Sequence, residues 1–349
     1  MIWQVEAGMK RGIVLTTLLL TACSSSYLVS IPLRSLDIQA LTNESDLIVV
    51  GRVTTVVPEK TTLIDSSGGS VRATQFRASL KRDRTFKGNI PGSPVIFSFL
   101  LPEKPIGFQG VTAGQYGIFF FKKVADHWEF FDPEHPCLPA LPGLRSISGT
   151  ALDQITIFLG QVLLSPHATP SDNFRSLDAL SRLQTDLSQK ILRQAFENSS
   201  GNLRLMIAGA LVAHNDVTGL EAITIALLHP AGLPESLLRN LTGSLSGLKS
   251  PKAIPDLVRL IKTKNEEIHR FSAVALRQTA SPMALAPLSQ LLEDSDLLTR
   301  YYAVAGLGEI TGQNDWTPAF DEFQKNQKRY LSYWQTWAEL NLPAALSVR

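Results

Sequence analysis

Cysteine is nearly absent from this chain of 349 residues: Cys23 and Cys137 are the only two. They could make one intrachain disulfide at most, so the fold cannot rest on a framework of such bridges. An excess of either charge is lacking too, because 33 Lys and Arg stand against 31 Asp and Glu, a net of +2. That balance argues against the basic footprint of a nucleic-acid binder. Past residue 22 no apolar run reaches the length of about 18 that a membrane-crossing helix needs. No catalytic triad, paired acids at a recognised spacing or metal motif is legible, so neither an enzyme nor a cofactor is expected. What remains is an ordinary globular composition, 44% hydrophobic and 18% charged, long enough for two domains.

The N-terminus is organised. Met9-Lys10-Arg11 is a positive segment, and residues 13–20 are apolar except for Thr16 and Thr17, the layout of a secretory signal. Glu6 fits that layout poorly, which points to Met9 as the start. The apolar run closes on Leu20-Thr21-Ala22-Cys23, which resembles the lipobox of bacterial lipoproteins. The resemblance implies cleavage of residues 1–22 and a lipid on the Cys23 thiol, with residues 23–33 as tether. Each buried methylene of such a lipid stabilises membrane binding by about 0.8 kcal/mol. Ser24 after the cysteine implies, by the same resemblance, the outer membrane with the protein facing the periplasm. An ordinary signal peptide whose cleavage site happens to hold a cysteine is the alternative. A lipidated Cys23 leaves Cys137 alone and 31 basic against 30 acidic residues in the mature chain. Cys137 lies between Pro136 and Pro139 in a stretch that also holds His135. It reads as a small buried thiol, with a reactive thiol paired to His135 as the rival.

Residues 34–163 are rich in strand signals. Strands are predicted at 47–57, 74–83, 95–100, 116–121 and 128–131, after a short helix at 36–41. Ser66 to Ser70 reads as a hairpin loop, and residues 151–163, following Thr150, as an amphipathic closing helix. Asp46-Leu47-Ile48-Val49-Val50-Gly51-Arg52-Val53, then Phe86-Lys87-Gly88, then Gly114-Gln115-Tyr116-Gly117-Ile118-Phe119-Phe120 resemble the OB-like barrel of netrin and metalloproteinase-inhibitor domains. The resemblance covers about residues 36–135 and implies the barrel alone, since the inhibitors' cysteines are missing. The basic run Arg77, Lys81, Arg82, Arg84 and Lys87 around Phe86 reads as a solvated strand end. His127, Asp132, Glu134, His135 and Cys137 are the residues on which a metal or catalytic site in this domain would have to rest.

Beyond a linker at 164–175 the chain repeats itself. Arg300-Tyr301-Tyr302-Ala303-Val304-Ala305-Gly306-Leu307-Gly308 matches residues 269–277 at a shift of 31, residues 238–245 at a further 31, and residues 204–211 at 34 more. Leu211, Leu245, Leu276 and Leu307 share one register, and Pro255, Pro287 and Pro318 follow ten or eleven residues after the last three. Each proline opens a second helix, as at 253–264 and 284–293. The pattern resembles the HEAT-like repeats named for phycobilisome lyases, with a motif "Arg-x-x-Ala-x-x-Ala-Leu-Gly", although lyase activity is not implied. Leu238 stands where the basic residue of that motif belongs, with Arg239 beside it. Four repeats span about 200–320, and residues 176–199 read as an N-terminal helical cap. His214, His229 and His269 read as surface or capping histidines. The aromatic helix at 320–340 reads as the cap on the last repeat, with a docking stripe as the other reading.

The expected fold is therefore α+β and multidomain: an N-terminal OB-like β-barrel at 34–163 followed by an α-solenoid of HEAT-like helix pairs at 176–349. The expected function is a membrane-anchored scaffold that binds a protein partner through the second helices. Asp256, Arg259 and Lys262 of one repeat and Ser289, Gln290 and Glu293 of the next are its candidate contacts. An envelope enzyme or metal-binding protein with its site in the β domain is the alternative, and self-association through the repeats is a third reading.

Overall fold

The structure, a computed structural model, describes residues 36–66, 69–103, 110–143 and 148–342. The leader, Cys23 and the tether at 23–33 lie outside the described residues, as does the tip of the loop expected between Ser66 and Ser70. The described residues, 36 to 342, fall within one compact unit.

Helix α1 (Ile38–Glu44) begins where Asp37 accepts the Ala40 amide at 2.8 Å, a polar cap on an otherwise unpaired donor. Six strands follow: β1 (Leu47–Ser66), β2 (Gly69–Lys87), β3 (Val95–Pro102), β4 (Tyr116–Val124), β5 (His127–Phe130) and β6 (Cys137–Pro139). β1 pairs with β2 and, through Leu47 to Arg52, with β4. β2 pairs with β3, β3 runs parallel to β5, β5 pairs with β4, and β6 borders β4. The pairings β1-β2-β3-β5-β4 thus return to β1.

The unbroken apolar run Leu47-Ile48-Val49-Val50 is wholly buried because both of its faces are covered. Leu47 and Val49 join Phe97, Phe119 and Phe121 in a cluster built from strand residues. Ile48 and Val50, with Ile118 and Phe120, join a second cluster shared with the helices. At Gly51 the strands approach so closely that a Cβ would lie 2.3 Å from the Lys81 carbonyl oxygen. β1 and β2 both run past the strands expected at 47–57 and 74–83. Their backbone ladder continues out to Ser66 and Gly69, and on β1 it passes through Glu59, Lys60, Thr61, Thr62 and the exposed Leu63, where apolar residues do not alternate. The short β6 was not expected.

Helix α2 (Ala151–Leu163) coincides with the predicted closing helix, and Thr150 and Asp153 cap it reciprocally. The expected linker is corrected: Thr169 caps α3 (Pro170–Arg182) by accepting the Asp172 amide, so half of 164–175 is helical. The predicted cap at 176–199 likewise divides, into the end of α3 and α4 (Asp186–Asn198). Helix pairs then follow at the predicted spacing: α5 (Gly201–Ala213) with α6 (Leu220–Leu228), α7 (Glu235–Ser244) with α8 (Ile254–Leu260), and α9 (Glu266–Gln278) with α10 (Leu285–Gln290). α11 (Leu297–Thr311) and α12 (Phe320–Asn341) close the described chain. Asp216, Ser250 and Ser281 occupy one turn of successive pairs, each accepting the amide two residues on and starting a 3₁₀ turn.

The core is continuous. Ile48 and Phe120 of the sheet, Phe158 of α2, Leu180 of α3 and the repeat leucines through Leu307 belong to one buried cluster that ends at Trp334. Within α12 the backbone breaks at Asn326 (φ −125°, ψ 30°), and Phe323, Tyr330 and Trp334 are buried against the last pair.

Candidate functional site

The β-domain residues that a catalytic or metal site would need are separated into small, self-satisfied groups. His127 Nε2 lies 2.8 Å from Glu129 Oε1. His135 Nδ1 lies 3.0 Å from Asp132 Oδ2, and Asp132 also accepts the Glu134 amide at 2.9 Å. Burial opposes the charge of Asp132, yet these hydrogen bonds hold its carboxyl below the usual range. Cys137 is buried and is held by Gln115 and Arg175. Its Sγ takes a hydrogen bond from Gln115 Nε2 at 2.9 Å, and Arg175 donates to its carbonyl oxygen at 2.5 Å. Burial pushes this thiol up, so it is a core side chain rather than a nucleophile. Among the described residues no three His, Cys, Asp or Glu gather to hold a metal.

The basic run of β2 divides: Arg77 and Lys81 are exposed, as a solvated strand end requires, whereas Arg82, Arg84 and Lys87 make structural contacts, which corrects the reading for these three. Lys87 Nζ donates to the Thr42 and Asn43 carbonyls at the end of α1 at 3.0 and 2.7 Å. Arg84 lies over the Phe158 ring at 5.5 Å, and Arg82 donates to the Ile90 carbonyl at 3.0 Å. These residues latch the strand to α1, to α2 and to its own turn.

The second-helix candidates divide. Arg259 pairs with Asp256 at 3.0 Å on α8 itself. Ser289 donates to the Ala286 carbonyl of its own helix at 2.8 Å. Gln290 and Glu293 are exposed. Lys262 lines a cleft, and that cleft leads to the difference between repeats.

Two neighbouring joints of the stack share one sequence register and carry different side chains. The N-caps of α7, α9 and α11 are Pro234, Asn265 and Asp296, spaced by 31 residues, so equivalent positions can be compared directly. Between α9 and α11 three polar bridges cross the joint. His269 joins Asp294 (2.6 Å), Arg270 grips Asp296 through two hydrogen bonds (2.9 and 2.8 Å), and Arg277 grips Glu309 (2.7 and 2.5 Å). Hydrogen bonding to the carboxylates raises both arginines further above their usual range. Burial opposes ionisation of Asp296, but Arg270 and Thr299 together hold it below the ordinary carboxylate range. Between α7 and α9 the same positions hold Leu238 and Thr263, Arg239 and Asn265, and Ser246 and Gln278. None of the three can form an ion pair.

The motif position itself shows what is missing. Arg300 reaches back to the carbonyls of Asp294 and Ser295 (2.6 and 2.8 Å) and forward to Gln327 (2.9 Å); His269 does likewise with Thr263 (2.7 Å) and Asp294. Leu238 can do neither. A cleft of about 790 Å³ opens there, lined by Leu227, Leu228, Leu238 and Ile268, and by Arg239, Lys262 and Lys264 among its charged residues. Arg239 is left to Glu235 of its own helix at 2.7 Å, with 66% and 86% of the two side chains exposed. Such a pair contributes about 0–1 kcal/mol. A second cleft, of about 410 Å³, lies at the turns of Gln184, His214 and Ser250; there Arg193 and Asp216 already pair at 2.5 Å.

The repeats carry the recognisable likeness. Residues 233–308 match the family model of HEAT repeats, a span that contains α7 to α10 and most of α11. No curated protein matches the chain significantly. A solved structure of lipid–protein interactions in lipovitellin is similar over 81% of this chain and 42% of that one, at 12% identity and a TM-score of 0.34. The chain therefore spans less than half of that structure's length, and a likeness at this score carries no argument.

Proposed function

We propose that this chain is an exported scaffold, tethered through lipid on Cys23 to the outer membrane and facing the periplasm, whose stacked HEAT-like pairs form a solenoid that holds a protein partner at the α7–α9 joint. The observation that carries the reading is the open cleft of about 790 Å³ at the start of the HEAT-matching segment, most of whose lining falls within it. HEAT pairs bury their apolar faces on each other and leave joints and outer faces for recognition. Lys262 is the candidate contact in the cleft; Asp256, Arg259, Ser289, Gln290 and Glu293 enter the reading only as the outer surface of the second helices. Among the described residues no helix is long and apolar enough to cross a membrane, so the proposed attachment rests on the lipid.

The β unit is proposed as an OB-like barrel of the netrin type. The return of the pairings to β1, the single parallel pair β3–β5 and the cluster of Phe97, Phe119, Phe121 and Phe130 support this. Packed on α2 and α3 through Ile48, Val50 and Phe120, it forms the base of the stack.

Two variants test the two halves of the proposal. Cys23→Ser should abolish fatty-acid labelling and release the protein from membranes; unchanged labelling would remove the anchor. Leu238→Arg restores the motif residue and should fill the cleft as Arg300 fills its own joint. Co-isolation from solubilised membranes should then lose partners that the parent chain retains. An identical partner list would remove the cleft from the function.

A further inference from the structure

The α7–α9 joint keeps the cation of its neighbour and lacks the acid. Arg239 lies five residues beyond the N-cap of its helix and Arg270 five beyond its own, so the two side chains leave equivalent positions. Arg270 finds the Asp296 carboxylate across the joint; in the register of Arg239 that place is held by Asn265, which is neutral and whose Oδ1 already accepts the Glu267 and Ile268 amides at 2.9 and 3.1 Å. Lys262 and Lys264 are exposed at the same cleft, and among the described residues neither is ion-paired. Beneath these three cations lie Leu227, Leu228, Leu238 and Ile268.

We propose that the cleft docks an acidic segment of a partner protein, whose carboxylate takes at Arg239 the place that Asp296 takes at Arg270. An apolar side chain next to that carboxylate fills the leucine floor. The assignment rests on the scaffold reading and names the chemistry of its partner. Charge complementarity decides the occupant: Arg239, Lys262 and Lys264 outnumber Glu235 and Glu267 around the cleft. The pair at Arg270 shows that a guanidinium five residues beyond the N-cap of a first helix can bind both oxygens of a carboxylate. The exposed contact between Arg239 and Glu235 yields readily to such an acceptor.

The test uses the full chain in detergent and a fluorescein-labelled peptide, Gly-Ser-Leu-Asp-Glu-Leu-Leu-Ser-Gly, followed by fluorescence anisotropy. The acidic peptide should bind at least tenfold more tightly than its Asn-Gln counterpart, and Arg239→Gln should remove that difference. Asn265→Asp is the sharper variant. It supplies the missing carboxylate from within, so it should close onto Arg239, raise Tm and weaken the peptide at least tenfold, which misfolding cannot imitate. Equal binding of the two peptides, no binding, or full affinity in Asn265→Asp would overturn the proposal. Self-association of the parent chain that Asn265→Asp abolishes, measured by sedimentation, would make a second copy the occupant and also overturn it. Partners lost on Leu238→Arg although no acidic peptide binds would leave the scaffold reading standing without this chemistry.

Discussion

Removing the Arg270–Asp296 bridge should cost more than an ordinary surface ion pair. The pair is bidentate, its side chains retain 32% and 12% exposure, and it joins two repeats rather than two turns of one helix. Hydrogen bonds to charged groups in such settings contribute about 1.5–3 kcal/mol. Asp296 also accepts the Thr299 amide and hydroxyl at 2.9 Å as the N-cap of α11, and losing a cap costs about 1 kcal/mol more. Arg270→Leu should therefore destabilise by about 1.5–3 kcal/mol and Asp296→Ala by about 2.5–4 kcal/mol. In a double-mutant cycle read by urea denaturation, the coupling should be about 1.5 kcal/mol. The same cycle on Arg239 and Asn265 should give none. Dependence on pH follows from the depressed carboxyl of Asp296. Its folded-state pKa lies below the unfolded value of about 3.9, so its contribution is complete above that pH and is lost as pH falls below it. Coupling below about 0.5 kcal/mol at Arg270–Asp296 would refute the claim that this joint is locked by its acids.

Phe97→Ala should cost about 3–5 kcal/mol in thermal or urea unfolding, because the ring is fully buried among Phe99, Phe121 and Phe130. Trp334→Ala should cost a similar ~3–5 kcal/mol. It also uncovers the last repeat, since Trp334 is wholly buried and donates to the Trp316 carbonyl at 3.1 Å; light scattering should detect the association that follows. Cys137 should resist alkylation in the folded chain at neutral pH and react only on unfolding, as its burial and raised pKa require.

Much of the scaffold was legible because it obeys local periodicities. The run from Leu47 to Val50 announces a strand, and the shift of 31 that aligns the motif residues recurs in the spacing of the N-caps of α7, α9 and α11. Less was legible where distant partners decide. The outer hairpin lacks apolar alternation because its ladder is held by backbone hydrogen bonds, so β1 and β2 outrun their predicted ends. Segment 164–175 reads as a linker from its two prolines, yet Pro170 occupies a first helical turn, where proline is tolerated. The basic residues at the end of β2 look solvated until α1 and Phe158 are seen to receive them. The bridges Arg270–Asp296 and Arg277–Glu309 span 26 and 32 residues and exist only once repeats stack. Their absence at the previous joint left a single trace, Leu238 at a basic position, and that trace marks the cleft.

A partner seated in the α7–α9 cleft must come within reach of position 238. A photoreactive amino acid placed at position 238 in cells, with one at exposed Gln290 as comparison, tests this most directly. The account predicts a discrete crosslinked product from position 238, absent from position 290 and lost when Asn265→Asp is added. Equal crosslinking from both positions, or none from 238, would contradict it.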